Sequence, residues 1–176
     1  MNLPNYITLL RVVLIPFFIG LMIYGHYRAG IAVFIAACIT DALDGMIARL
    51  TGQKTELGAF LDPMADKLLI VAAFVTLVLL KMLPIWLVIV VVSRDIILIF
   101  GSLAIYLTGH ELKARPSIMG KVTTVLQLGV VLLSLFLKYF GAQTAYMPVL
   151  SWATAVSTIA SGVQYVYRGT KIVGHD

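Results

Sequence analysis

Apolar residues dominate long blocks of this chain, and polar residues gather in the gaps between them. The blocks fall at about residues 6–24, 30–49, 66–80, 84–108, 119–138 and 147–167. Crossing a bilayer takes about 20 mostly apolar residues per helix, so the pattern predicts six membrane-spanning helices. The gaps "GHYRAG", "LTGQKTEL", "KMLP", "GHELKARPS" and "KYFGAQTAYMP" all carry Gly, Pro or polar turn residues. The third block is short unless its helix begins near Gly58, which brings Asp62 and Asp66 into its first turns. Arg11 interrupts the first block, and no small-residue cleavage site follows a compact apolar region. The expectation there is a retained span, not a removed signal. The fold class expected is all-α and integral to a membrane, a six-helix bundle forming one domain over residues 1–176.

Six spans put both termini on one side. The loops after spans two and four and the C-terminus share it, and they and their flanks hold Arg49, Lys54, Lys67, Lys113, Arg115, Lys121, Arg168 and Lys171. The opposite loops hold only Arg28, Lys81 and Lys138. Positive charge marks the cytoplasmic face, so both termini are expected in the cytoplasm of a multi-pass protein, in a bacterial plasma membrane. Composition agrees: 61% of residues are hydrophobic and 12% charged, against about 25% charged in soluble domains. The net charge of +5 suits cytoplasmic loops and anionic headgroups, and no nucleic-acid partner is expected. Cys38 is the only cysteine, which excludes an intramolecular disulfide.

Against this oily background, "DALDGMIARLTGQKTELGAFLDPMADK" places four of the chain's eight acidic residues between Asp41 and Asp66. On a helix, Asp41 and Asp44 are three apart and share a face; Asp62 and Asp66, four apart, do likewise. The short "LTGQKTEL" connection makes their helices antiparallel neighbours, so four carboxylates can converge at the cytoplasmic face. Ionised groups beside lipid need partners or water, and Arg49 and Lys67 balance two of them at best. Two divalent cations balance all four. An oxygen-only ligand set favours Mg²⁺, Mn²⁺ or Ca²⁺ over zinc, and no His or Cys cluster exists. Two such ions about 3.5–4 Å apart can bind a phosphate-containing substrate and stabilise displacement at phosphorus. Gly45, Ala48 and Gly58 allow close approach of a helix or ligand to backbone, and Arg49 can clamp a phosphate or pair with a carboxylate.

The spacing Asp41-x2-Asp44-Gly45-x2-Ala48-Arg49-x8-Gly58-x3-Asp62-x3-Asp66 resembles the signature of the CDP-alcohol phosphotransferase family at every defining position. The likeness extends to "NLPNYITLLRVVLIPFF" at the start and "SGVQYVYRGTKIV" at the end. It implies transfer of a substituted phosphate from a CDP-linked donor, here CDP-diacylglycerol, to an alcohol, with release of CMP. The fold implied is a six-helix membrane bundle, usually a homodimer, with a cytoplasm-facing polar cavity. By resemblance Asp41, Asp44, Asp62 and Asp66 are metal ligands for two Mg²⁺ or Mn²⁺ ions. Asp66 is also the base, and Gly45, Ala48, Arg49 and Gly58 line the cytidine diphosphate site.

The signature leaves the acceptor open. The end segments look most like the branch that uses glycerol 3-phosphate, but Arg94-Asp95 stands where that branch usually has Arg-Glu. Arg94-Asp95 and "RPSIMGKVTTVLQ" also resemble the branch whose acceptor is phosphatidylglycerol. Arg94, Arg115 and Lys121 are the candidate contacts for an anionic acceptor, and a pair between Arg94 and Asp95 is the structural alternative. Arg11, with Asn5 and Thr8 on one side of the first span, is expected to reach headgroups or anchor the helix. A divalent-cation channel or transporter is the competing class, since intramembrane carboxylates also mark ion paths. Against it, the acids cluster at one face only.

Overall fold

The computed structural model describes the backbone of residues 3–51, 56–107, 118–141 and 146–173, and the side chains of residues 8–41, 65–101, 118–141 and 146–170. Among the described residues it contains six helices: α1 (Leu3–Ile23), α2 (Tyr27–Thr51), α3 (Glu56–Leu79), α4 (Ile85–Leu107), α5 (Ile118–Phe140) and α6 (Tyr146–Val173). They stand where the six apolar blocks predict them. The third begins at Glu56, so Asp62 and Asp66 lie in its first three turns. α1 runs through Pro16 without ending.

By packing, the chain divides into two compact units, residues 1–82 with 132–143 and residues 83–131 with 144–176. In the first unit α1 packs against both α2 and α3. Phe18 and Phe34 are fully buried, their ring centroids 5.4 Å apart. One turn further, Gly30 meets Met22, where an added Cβ would come 2.8 Å from the Met22 sulfur. The absent side chain leaves room for the buried Met22 thioether between α1 and α2. These pairs define an antiparallel register, and seven residues along each helix from the two rings lie Arg11 and Asp41. Two turns of helix therefore carry the same buried seam from an aromatic pair to a charged one.

The helix ends are closed by backbone bonds. At α1 the His26 N–H bonds to the Leu21 carbonyl and the Gly25 N–H to Met22; Gly25 takes φ 80°, the left-handed cap that glycine allows. At α3 the same pattern joins Met82 to Leu77 and Lys81 to Val78, with Lys81 at φ 57°.

In the second unit α4 packs on α6. Trp86 meets Trp152 with ring centroids 4.8 Å apart, Arg94 reaches Ser161, and the Tyr165 hydroxyl donates to the Leu98 carbonyl. The offset between partners is nearly constant along the pair, so the two helices run parallel. Ser151, Thr154, Thr158 and Ser161 form a buried polar stripe on α6. Thr154 and Thr158 satisfy their hydroxyls on the carbonyls one turn back, Leu150 and Thr154, so burying them costs little.

Large apolar side chains also face outward, among them Phe17, Phe100, Val125, Val149 and Trp152. Of the described residues, one helix, Ile118–Phe140, is long and apolar enough by itself to cross a membrane, and Thr8–Ile23 is a shorter apolar stretch.

Candidate active site

Arg11 is fully buried, an expensive place for a guanidinium unless it is paired. The α1–α2 register brings its Nη1 to 2.7 Å from Asp41 Oδ1. The same nitrogen lies 3.4 Å from Asp66 Oδ1 on α3. One cation thus ties together the carboxylates that begin and end the aspartate motif, across three helices. Both carboxylates also stay accessible, with 37% of the Asp41 side chain and 45% of the Asp66 side chain exposed. They are held from one side and open on the other.

The backbone continues Asp44, Gly45, Ala48 and Arg49 on α2, and Gly58 and Asp62 on α3. The side chains of these six lie outside the described residues, as does Arg115 entirely. Charge and donor chemistry nevertheless test what the site can hold. Among the described side chains, two carboxylates meet one guanidinium, with two further aspartates one turn away along the same helices. Every donor is oxygen. That set fits a hard divalent cation.

The acceptor candidates lie in the second unit. Arg94 donates through Nη1 to Asp95 Oδ1 at 2.7 Å and through Nη2 to Ser161 Oγ at 2.9 Å. Arg94 and Asp95 are both buried, so the structural alternative for this arginine is realised. Lys121, in the first turn of α5, is exposed. A largely apolar groove of about 600 Å³ runs between α4 and α6 with Arg94 in its wall. The ion pair gives Arg94 a stability role that can be measured. Arg94→Gln takes the guanidinium away from a buried carboxylate, a defect worth up to about 3–5 kcal/mol. Thermal unfolding in detergent should drop accordingly, and adding Asp95→Asn should restore most of it. An unchanged melting temperature in Arg94→Gln would contradict the pairing.

Sequence patterning alone does not find Arg11. Its block gives it no charged neighbour, and only the register with α2 shows what it meets. The expected counter-charges, Arg49 and Lys67, are nearer in sequence; Arg11, a partner found among the described side chains, is 30 residues from Asp41 and 55 from Asp66.

Comparison with known proteins decides the family. The model of the CDP-alcohol phosphatidyltransferases matches residues 1–160. This chain belongs to that family. The phosphatidyltransferase relatives include a probable phosphatidylglycerophosphate synthase of Mycobacterium tuberculosis, 37% identical over 98% of this chain and 84% of its own. A CDP-diacylglycerol–glycerol-3-phosphate 3-phosphatidyltransferase of Bacillus subtilis is 35% identical over 93% of both chains. The human cardiolipin synthase (CMP-forming) is also 35% identical, over 98% of this chain and 63% of its own. CDP-alcohol phosphatidyltransferases are membrane-associated and generally use divalent metal ions, which is the class of ion the aspartate set fits.

Proposed function

We propose that this phosphatidyltransferase transfers the phosphatidyl group of CDP-diacylglycerol to glycerol 3-phosphate, giving phosphatidylglycerophosphate and CMP. The observation that carries the reading is the meeting of Asp41 and Asp66 at Arg11, inside a motif with the family's spacing. The names of the Mycobacterium and Bacillus relatives support this acceptor. A second reading, phosphatidylglycerol as acceptor and cardiolipin as product, is favoured by the human relative and by Arg94-Asp95. The family match runs across both compact units, which supports one catalytic domain. The outward apolar side chains and the family's membrane association support six spans, with both termini cytoplasmic and the motif at that face. A homodimer in a bacterial inner membrane completes the proposal.

In the mechanism, Asp41, Asp44, Asp62 and Asp66 hold two ions, Mg²⁺ or Mn²⁺. When bound, such ions neutralise the donor's pyrophosphate and the charge that develops on the leaving CMP. Gly45, Ala48 and Gly58 let the cytidine diphosphate lie close to backbone, and Arg49 binds one of its phosphates. Asp66 accepts the proton of the acceptor hydroxyl. That oxygen forms a bond to the phosphatidyl phosphorus as the phosphorus–oxygen bond to CMP breaks. Proton, nucleophile and leaving group are all accounted for, and no covalent enzyme intermediate is needed. Arg115, Lys121 and Arg94 are the candidate contacts for the anionic acceptor.

The test is the lipid product. Purified enzyme given CDP-diacylglycerol with glycerol 3-phosphate or with phosphatidylglycerol should make phosphatidylglycerophosphate from the first, resolved by mass spectrometry. Cardiolipin formation from the second, with no product from the first, would replace the primary reading by the second.

A further inference from the structure

Arg11 raises a question that the transfer mechanism leaves unanswered. A cation is fully buried against two carboxylates that are proposed to bind cations. Arg11 and an ion must then share Asp41 and Asp66. Either the arginine helps the ion by aligning the carboxylates, or it opposes the ion by charge.

The packing around the seam decides between these. Asp41 is set on α2 by contacts that do not involve Arg11: Phe18 on Phe34, and Met22 against Gly30. Asp66 sits on α3 beside Ala65, Leu69 and Ile70, all buried. The helices therefore keep the carboxylates near their places without the guanidinium. What Arg11 adds is charge. Two carboxylates held close repel each other, and the buried guanidinium offsets that repulsion when no ion is present. Once an ion binds the same carboxylates, a full positive charge on their buried side lies close to a doubly positive one, and the two repel at short range.

We infer that Arg11 is a positioning residue that serves as the resident counter-charge of the metal-free site, stabilising the fold without metal and weakening the hold on the ion. This rests on the metal-site reading of the aspartates. Coupling of this kind is reciprocal: whatever metal loses in affinity through Arg11, Arg11 loses in stabilising effect when metal is bound. The consequence is a site that releases and reloads its ions without unfolding.

The experiment compares wild type, Arg11→Met and Arg11→Lys, each purified in detergent. Melting temperature is measured in EDTA and in saturating Mn²⁺, and Mn²⁺ binding is titrated by the electron paramagnetic resonance signal of the free ion. Methionine fills much of the same space without charge. In EDTA, Arg11→Met should melt roughly 5 °C below wild type, because the guanidinium is buried while the carboxylates it leaves behind stay partly solvated. Saturating Mn²⁺ should recover at least half of that loss. Its Mn²⁺ affinity should rise by roughly tenfold, as the same coupling requires. Arg11→Lys, which keeps the charge, should stay near wild type in both measurements.

An equal melting loss with and without Mn²⁺ would make Arg11 a structural residue and overturn the inference. Weaker Mn²⁺ binding in Arg11→Met would overturn it too, by showing that alignment outweighs repulsion. So would failure of Arg11→Met to fold even with Mn²⁺ present throughout purification. Absence of specific Mn²⁺ binding in wild type is a different failure: it removes the metal site itself, and the inference falls with it.

Discussion

Asp66→Asn is expected to lower turnover by at least about a hundredfold, the lower end of what a general base contributes, while CDP-diacylglycerol binding is largely kept. Asparagine retains the shape of the side chain but cannot take the acceptor's proton, and as a neutral ligand it holds a cation less well. The fold should survive the change. Arg11 lies 3.4 Å from Asp66 but only 2.7 Å from Asp41, so the shorter of these two ion pairs remains. Asp41→Asn should behave differently. It removes the short pair from a fully buried guanidinium, and the melting temperature should fall along with activity. Single-turnover rates and donor binding on Asp66→Asn check the first expectation. Near-normal turnover would place the base elsewhere.

Metal removal is expected to abolish transfer altogether. Four aspartates occur in 26 positions of a chain with few charged residues. Their negative charge opposes the approach of a pyrophosphate unless cations intervene. After treatment with EDTA the enzyme should release no CMP from CDP-diacylglycerol in the presence of acceptor. Mg²⁺ or Mn²⁺ should restore the rate. Zn²⁺ should restore it poorly, because the ligand set offers oxygen alone and no His or Cys. Full activity in thoroughly metal-depleted enzyme would sink the metal-site reading.

The helices were largely legible in the sequence because each is a long apolar block with turn chemistry at its ends. α3 is the instructive exception. Its apolar stretch begins near Asp66, yet the helix begins at Glu56, because helix formation needs backbone hydrogen bonds while hydropathy reports only side chains. The aspartate motif was legible for a different reason: its carboxylates lie three and four apart, a spacing that maps directly onto one helix face. Arg11 was not legible as a member of the site. Its meeting with Asp41 depends on how α1 lies along α2, a register seen in the Phe18–Phe34 and Met22–Gly30 contacts and not in the residues around Arg11. Arg94 lies between these cases. Its neighbour Asp95 made the ion pair an available alternative, but Ser161, 67 residues away, completes its surroundings. The stripe of Ser151, Thr154, Thr158 and Ser161 was written at helical spacing and still gave no sign of what it would face.

The proposed reaction is direct transfer of a phosphatidyl group from CDP-diacylglycerol to an acceptor hydroxyl at the aspartate site. Its most direct test is to quantify CMP and lipid product in the same reaction, with glycerol 3-phosphate present and then omitted, in wild type and in Asp66→Asn. Direct transfer predicts one CMP per phosphatidylglycerophosphate, no CMP without acceptor, and little of either from Asp66→Asn. A burst of about one CMP per enzyme without acceptor, or CMP released with no phospholipid formed, would contradict it.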